Sequence, residues 1–392
     1  MTLRPLTPAL ALTLALLACE ADDGTPADTD AATDTDAGTD AGTDTAADAS
    51  AGTGDTSGDH CQAPQGATVL ADWAVYGAPT SPGDGTSVLR EIAFDSTTMY
   101  FRADAQIYAL DRAGGTATSV FTCPGDLGVI GCSLAPVDPD TYVVLTENGV
   151  VDATGAAIAY PAWADTNGNP VPPTASIVLP NGDRIGRYDQ LDDSFVPTTT
   201  DWVRLSPGAA MAESLVGGVG GGGGRGMVYG AGVMWTNAHS LGGGNRPDPD
   251  DIWKVDFGGD IGPISIDKPG ELLLVTDNYA YFIRDRADEL GERGVWRAPV
   301  AGGSAERVGG IVPLYGQAVA SGGTVAFEDA GTLYSIDDTV GAAFIHVLEL
   351  PVTTTIDHSC TVQGLAIRDG EIYSSLFDEA HNEALVFKVA VL

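Results

Sequence analysis

The sequence predicts an all-β chain folded as a β-propeller of seven blades, set behind a signal peptide and a disordered acidic linker. Three observations carry this fold class. A short motif recurs along residues 85–392: an aliphatic residue, an aromatic, a variable residue and a second aliphatic, often with Asp next and glycines soon after. Its regular copies stand 38 to 53 residues apart. No helix-period run lasts, while 51 glycines and 23 prolines supply turns for many short strands.

In chain order the first element is MTLRPLTPALALTLALLAC. It carries one charge, Arg4, and then an apolar run from Ala9 to Leu17. A bilayer-spanning helix needs ~20 apolar residues, so this run has the length of a signal-peptide core instead. The segment Leu16-Leu17-Ala18-Cys19 resembles the lipobox of bacterial lipoprotein precursors. The resemblance implies cleavage after Ala18 and acylation of Cys19, which makes the membrane a partner through a lipid anchor. At ~0.8 kcal/mol per buried CH₂, one acyl chain holds marginally and two or more hold stably. Glu20, rather than Asp, follows the cysteine, which in such lipoproteins implies an outer-membrane destination.

Residues 20–60 form the second element. They hold twelve acidic residues, no Lys or Arg, and no aromatic or large aliphatic side chain. Nothing there offsets the ~1–2 kcal/mol per residue that backbone ordering costs. The segment is therefore expected to be a disordered tether, extended by its own charge. About 40 residues reach on the order of 130 Å at full stretch, or about 35 Å as a flexible coil. Its Asp-Thr repeats lack the Gly turn and distal Glu of a calcium loop.

The chain has a net charge of -36, and residues 61–392 still carry -25 without leader and tether. A nucleic-acid site needs a basic footprint, so that partner class is excluded.

From Cys61 onward the texture is short apolar runs between turns. The motif appears as Ile107-Tyr108-Ala109-Leu110-Asp111, followed by Gly114-Gly115. It returns as Ile252-Trp253-Lys254-Val255-Asp256, Val295-Trp296-Arg297-Ala298, Leu333-Tyr334-Ser335-Ile336-Asp337 and Val386-Phe387-Lys388-Val389. Each copy reads as a period-2 strand after a partner strand and before a glycine turn. From Tyr108 to Trp253 is 145 residues, about three periods, so two degraded copies are expected, near Val150-Val151 and Trp202-Val203. Repeats of ~40–50 residues, each a small antiparallel sheet, give a propeller. The count is seven, or six if one weak copy is an insertion. The run Ala67 to Val75 is expected to supply the outer strand of the last blade, which removes an open edge. This hairpin pattern resembles the TolB-like propellers of bacterial envelope proteins. Between residues 155 and 250 the blades are hard to trace, and VGGVGGGGGRG (216–226) reads as a loop between blades.

Four cysteines remain beyond Cys19: Cys61, Cys123, Cys132 and Cys360. An even number in an exported chain suggests two disulfides, with three pairings open. Cys123 and Cys132 lie nine apart across a Pro-Gly turn and are expected to pair locally. That leaves Cys61 with Cys360, which needs a detour by residues 61–66.

No catalytic, cofactor or metal set is visible. The five histidines, His60, His239, His346, His358 and His381, sit in no H-E-x-x-H, and no G-x-S-x-G occurs. His239 beside Asp248, Asp250 and Asp251 reads as an exposed polar loop, and Asp165 to Asn169 as a turn. The repeated Trp and Tyr read as core between blades. The sequence therefore points to a lipid-anchored envelope protein whose propeller binds a protein or glycan partner. The alternative is an extracytoplasmic hydrolase or lyase with its site at the central opening.

Overall fold

The computed structural model describes residues 61–391, apart from 78–88, 104, 124–131, 139, 147–148, 165–172, 174, 192–196, 221–226, 239–250, 256–260, 264–265, 267–269, 285–291, 312, 314–317, 330, 343–344, 350–353 and 356–357. Cys19, the leader and the tether lie outside the described residues, as do His60, His239 and Asp165 to Asn169.

The described chain opens with β1 (Thr68–Ala74), whose sheet partner comes from the other end of the sequence. Blade 1 is β2 (Leu89–Phe94), β3 (Thr98–Ala103), β4 (Gln106–Asp111) and β5 (Thr118–Thr122). Blade 2 is β6 (Cys132–Asp138), β7 (Thr141–Thr146), β8 (Gly149–Asp152) and β9 (Ala157–Ile158). Blade 3 is β10 (Ala175–Val178), β11 (Arg184–Leu191), β12 (Pro197–Leu205) and β13 (Glu213–Gly220). Blade 4 is β14 (Met227–Gly230), β15 (Val233–Ala238), β16 (Asp251–Val255) and β17 (Ile261–Pro263). Blade 5 is β18 (Glu271–Val275), β19 (Tyr279–Arg284), β20 (Gly294–Pro299) and β21 (Glu306–Gly309). Blade 6 is β22 (Ala318–Ser321), β23 (Thr324–Asp329), β24 (Thr332–Asp337) and β25 (Ile345–Glu349). Blade 7 is β27 (His358–Arg368), β28 (Glu371–Asp378) and β29 (Glu383–Ala390), with the short β26 (Thr354–Thr355) leading in.

Within each blade consecutive strands pair antiparallel. The first strands touch in sequence, β2 to β6, β10, β14, β18, β22 and β27, and β27 returns to β2. The ring therefore closes at seven blades. β1 completes it, pairing with β29 through Thr68↔Lys388 and Val69↔Phe387. Its span falls inside the run expected for that role, and it covers an edge that would otherwise invite another chain.

The motif is the third strand of each blade, and the packing explains its form. Neighbouring residues on a strand point to opposite faces, and here both faces meet another blade. Ile107, Ile252, Val295, Leu333 and Val386 enter the seam with the following blade. Tyr108, Trp253, Trp296, Tyr334 and Phe387, one residue later, enter the seam with the preceding blade. One dipeptide thus serves two seams. The degraded copies lie where the spacing placed them, on β8 and β12. In blade 2 both positions are valine, with Val150 forward and Val151 backward. In blade 3 the order is reversed, with Trp202 forward and Val203 backward.

Double-sided burial also corrects the period-2 reading of the motif strands, since β20 is buried at five consecutive residues, and the second strands show the same. Every residue of β19 is buried, and so are seven of the eight in β28. A strand covered on both faces reads as a continuous apolar run, not an alternating one. A second correction concerns VGGVGGGGGRG. Its first five residues belong to β13, which pairs with β12 through Thr199↔Gly220 and Thr200↔Val219. Glycine weakens a strand without forbidding it, and the ladder to β12 decides. Residues 221–226 lie outside the described residues.

Candidate functional site

The ring has two faces. One carries the hairpins between first and second strands and the turns between third and fourth. The other carries the turns between second and third strands and the crossings from blade to blade.

Both disulfides lie on the crossing face. Cys123 and Cys132, with Cα atoms 5.5 Å apart, join the end of blade 1 to the start of β6. Cys61 and Cys360, with Cα atoms 6.2 Å apart, join the start of the described chain to the start of β27. Cys61 packs with Ala326 and Leu333 of blade 6 and with Val362 of blade 7. The register aligns Cys360 with the far end of β1, through Asp378, Glu383 and Ala384 to Ala74. Residues 61–67 therefore run back along the blade before β1 begins, with Ala67 N–H donating to the Pro64 carbonyl at 3.1 Å. His381 stands on the same face, its Nδ1 2.8 Å from Oδ2 of the buried Asp378. The Asp378 Oδ1 also accepts the His381 N–H, so this pair ties a turn.

The hairpin face carries a polar cavity of about 360 Å³, lined by the first hairpins of blades 4, 5 and 6 and by Asp338. Two of these hairpins are two-residue turns with positive φ, at Ala231-Gly232 (50° and 75°) and Gly322-Gly323 (60° and 82°). That geometry matches the twist of the flanking strands. The third is fixed by Thr276, whose Oγ1 accepts the N–H groups of Asn278 and Tyr279. Gly230 lets blade 4 approach blade 5, since a Cβ there would sit 2.3 Å from the Val275 carbonyl oxygen.

Asp338, 4 % exposed, forms the floor. The Tyr281 hydroxyl donates to its Oδ1 at 2.7 Å and Asn278 Nδ2 donates to its Oδ2 at 3.1 Å. Its own N–H donates to the Gly323 carbonyl at 2.8 Å. Burial pushes the Tyr281 hydroxyl well above the usual phenol range, so it stays a donor. Behind it lies the Arg297 guanidinium, 4.4 Å from the Tyr279 ring centroid and bonded to Glu306. These contacts stitch blade 5 to blade 6 and occupy Asp338. Asp277, Tyr229, Ser321 and Thr324 also line the cavity, and among the described residues no ion pair occupies the exposed Asp277 carboxylate. Tyr229 is 38 % exposed, the one aromatic among the strongly exposed large apolar residues described. Among the described residues no Lys, Arg or His lines this cavity.

Across the same face the ring is held by ions. Arg368, ending β27, reaches past blade 1 to Asp140 of blade 2. Arg112 donates to Asp369 at 2.6 Å, with its guanidinium near the Phe94 and Tyr373 rings. A second cavity of about 390 Å³ lies between blades 2 and 3, lined largely by Val137, Val143, Ile158, Val178, Pro180 and Pro207. The polar groups at its rim bond to their neighbours, as Tyr160 does to the Gly182 carbonyl and Asp152 to Thr154.

Among the described residues no three His, Cys, Asp or Glu side chains stand together as a metal site. The residues that shape the polar cavity were not singled out by sequence reasoning. Their only signal was a small-residue turn ahead of each blade's second strand.

No family model matches the chain, so the likeness to TolB-like propellers rests on the hairpin pattern alone. No curated protein matches it either. Among solved structures, the chain is similar to an oligogalacturonate lyase in complex with manganese. The TM-score is 0.50 at 12% identity, covering 82% of this chain and 96% of that one. It is also similar to an acylaminoacyl peptidase of Pyrococcus horikoshii, with a TM-score of 0.50 at 9% identity, covering 78% of this chain. The chain spans 52% of that peptidase's length. At such identities the likeness shows the fold, a seven-bladed β-propeller. The fold is shared by enzymes and binding proteins, so function rests on the site itself.

Proposed function

We propose that this protein is a lipid-anchored envelope protein whose propeller presents its hairpin face to a binding partner. The observation that carries the reading is the entry of the described chain at Cys61, on the crossing face and sealed there by Cys360. The hairpin face, with its polar cavity, lies on the side of the ring opposite this entry point and is the surface offered to a partner. The leader, the lipobox-like segment and the acidic run before Cys61 support the anchor, and the two disulfides accord with an oxidising compartment. Surfaces of this kind recruit through placed polar groups together with aromatic anchors; the hairpin face has both, while the turn of His381 has polar groups and no Phe, Tyr or Trp.

Two measurements test this. Cells fed a labelled fatty acid should label the protein, and Cys19→Ala should both abolish label and release the protein from membranes. An unlabelled protein, or one still membrane-bound after the substitution, ends the anchor reading. A photo-crosslinking residue at position 277 should capture a partner on intact cells, while one at exposed position 379, on the crossing face, should not. Equal capture from both positions ends the binding-face reading.

A further inference from the structure

Resting on that reading, we propose that the cavity between the hairpins of blades 4 to 6 takes the cationic side chain, lysine or arginine, of a basic polypeptide segment. The argument is an inventory of what the lining has left to offer. Internal bonds already consume several polar groups. Thr276 Oγ1 accepts two backbone N–H groups and donates to the Tyr279 carbonyl at 3.2 Å. Asn278 spends its amide on Asp338. Asp338 is answered at both carboxylate oxygens.

The remainder is rich in acceptors. Asp277 offers a carboxylate, Asn278 keeps its Oδ1, and Ser321 and Thr324 bring hydroxyls that can accept. The exposed ring of Tyr229 adds a π-face. Such a lining answers a ligand that only donates, and ammonium and guanidinium groups carry several donors and no acceptor. An aromatic side chain and a carboxylate lining one cavity also suit a desolvating cation. Among the described residues an anionic ligand meets no cation in this cavity and two aspartates. The field of the whole chain agrees, since its net charge of -36 raises the local concentration of cations and steers them inward.

The size fits one side chain and its flanking backbone. The cavity's 360 Å³ lies at the lower end of the ~300–1,000 Å³ found for specific ligand sites. Two of the turns that build it are two-residue hairpins and the third is tied by Thr276, so little ordering is needed on binding.

The test uses the full chain at physiological salt with the peptide acetyl-Gly-Gly-Lys-Gly-Gly-amide, followed by ligand-observed NMR. The peptide with norleucine for lysine is the control. The lysine peptide should bind saturably and the norleucine peptide at least tenfold more weakly. Asp277→Asn and Tyr229→Ala should each weaken the lysine peptide about fivefold, the upper range for a single exposed ion pair or cation–π contact. Tyr229→Phe, which keeps the π-face, should retain binding. Glu379→Gln removes the same charge on the opposite face and should change little.

Equal loss in Glu379→Gln and Asp277→Asn would mean diffuse attraction and overturns the site. So would an unchanged affinity in Tyr229→Ala, equal binding of the norleucine peptide, or displacement of the lysine peptide by neutral chitohexaose. The crosslinking experiment separates two failures. A partner captured at position 277, with no response to the lysine peptide, keeps the binding face and removes the cationic partner. No capture at all removes the face itself.

Discussion

Deleting the two disulfides separately should destabilise the propeller by very different amounts, because they close loops of very different length. The perturbations are Cys61→Ala with Cys360→Ala, and Cys123→Ala with Cys132→Ala. All four residues are at most 6 % exposed, so the packing change is alike in the two variants. The bridges span 299 and 9 residues. In the chain-entropy account, a bridge across n residues lowers denatured-state entropy by about 2.1 + 1.5R ln n cal/mol/K. That gives about 5.7 kcal/mol for the long loop and about 2.6 kcal/mol for the short one at 25 °C. The folded unit has roughly 330 residues, and at ~2.1 cal/mol/K per residue its unfolding entropy is about 0.7 kcal/mol/K. The long-loop variant should therefore melt ~8 °C lower and the short-loop variant ~4 °C lower. Differential scanning calorimetry of the full oxidised chain, under conditions where unfolding reverses, reads both. The reasoning is refuted if the short-loop variant loses as much as the long-loop variant, or more.

Three further outcomes follow from particular side chains. Asn237→Ala should cost about 2–5 kcal/mol in urea unfolding, because the fully buried Asn237 accepts from Leu272 N–H and donates to the Gly270 carbonyl, and both would be left unpaired. A loss below ~1 kcal/mol would mean that another group satisfies them. Phe387→Ala should cost about 3–5 kcal/mol by opening a void in the seam between blades 6 and 7, where the ring is fully buried; an unchanged melting temperature would show that the seam repacks. Burial raises the Glu328 carboxyl above its ordinary range, although the Gly331 N–H opposes this. The folded state thus holds its proton more tightly than the unfolded chain, so this group's stabilisation is complete in acid and declines as pH rises through the raised value. Glu328→Gln should then match the parent in acid and be the more stable at neutral pH, and urea midpoints that show the reverse order exclude this account.

Much of the fold was legible because one dipeptide on each third strand must fill two seams. Where that demand was met by Ile-Tyr, Ile-Trp, Val-Trp, Leu-Tyr and Val-Phe, the repeat stood out. Blade 2 meets it with Val150-Val151 and blade 3 with Trp202-Val203, in which the ring has moved to the other face. Only the interval between visible copies marked those blades. β13 stayed hidden because glycine carries almost no strand signal, and its ladder to β12 is a tertiary fact. The polar cavity was not legible at all. Its parts come from hairpins about 45 residues apart, and Asp277 or Tyr229 alone is an ordinary turn or strand residue until the ring brings the three hairpins together.

The bridge from Cys61 to Cys360 also decides where tension would go in a chain held by its amino-terminal end. Without it, every pull would arrive at Thr68 and peel β1 from β29, the strand pairing that joins the two ends of the described chain. With it, the pull passes through sulfur into β27, a strand held by β28 and by the first strands of both neighbouring blades. Residues 62–67 and β1 hang slack behind the bridge. The propeller is thus towed by an inner strand of the ring, and its clasp is spared the force.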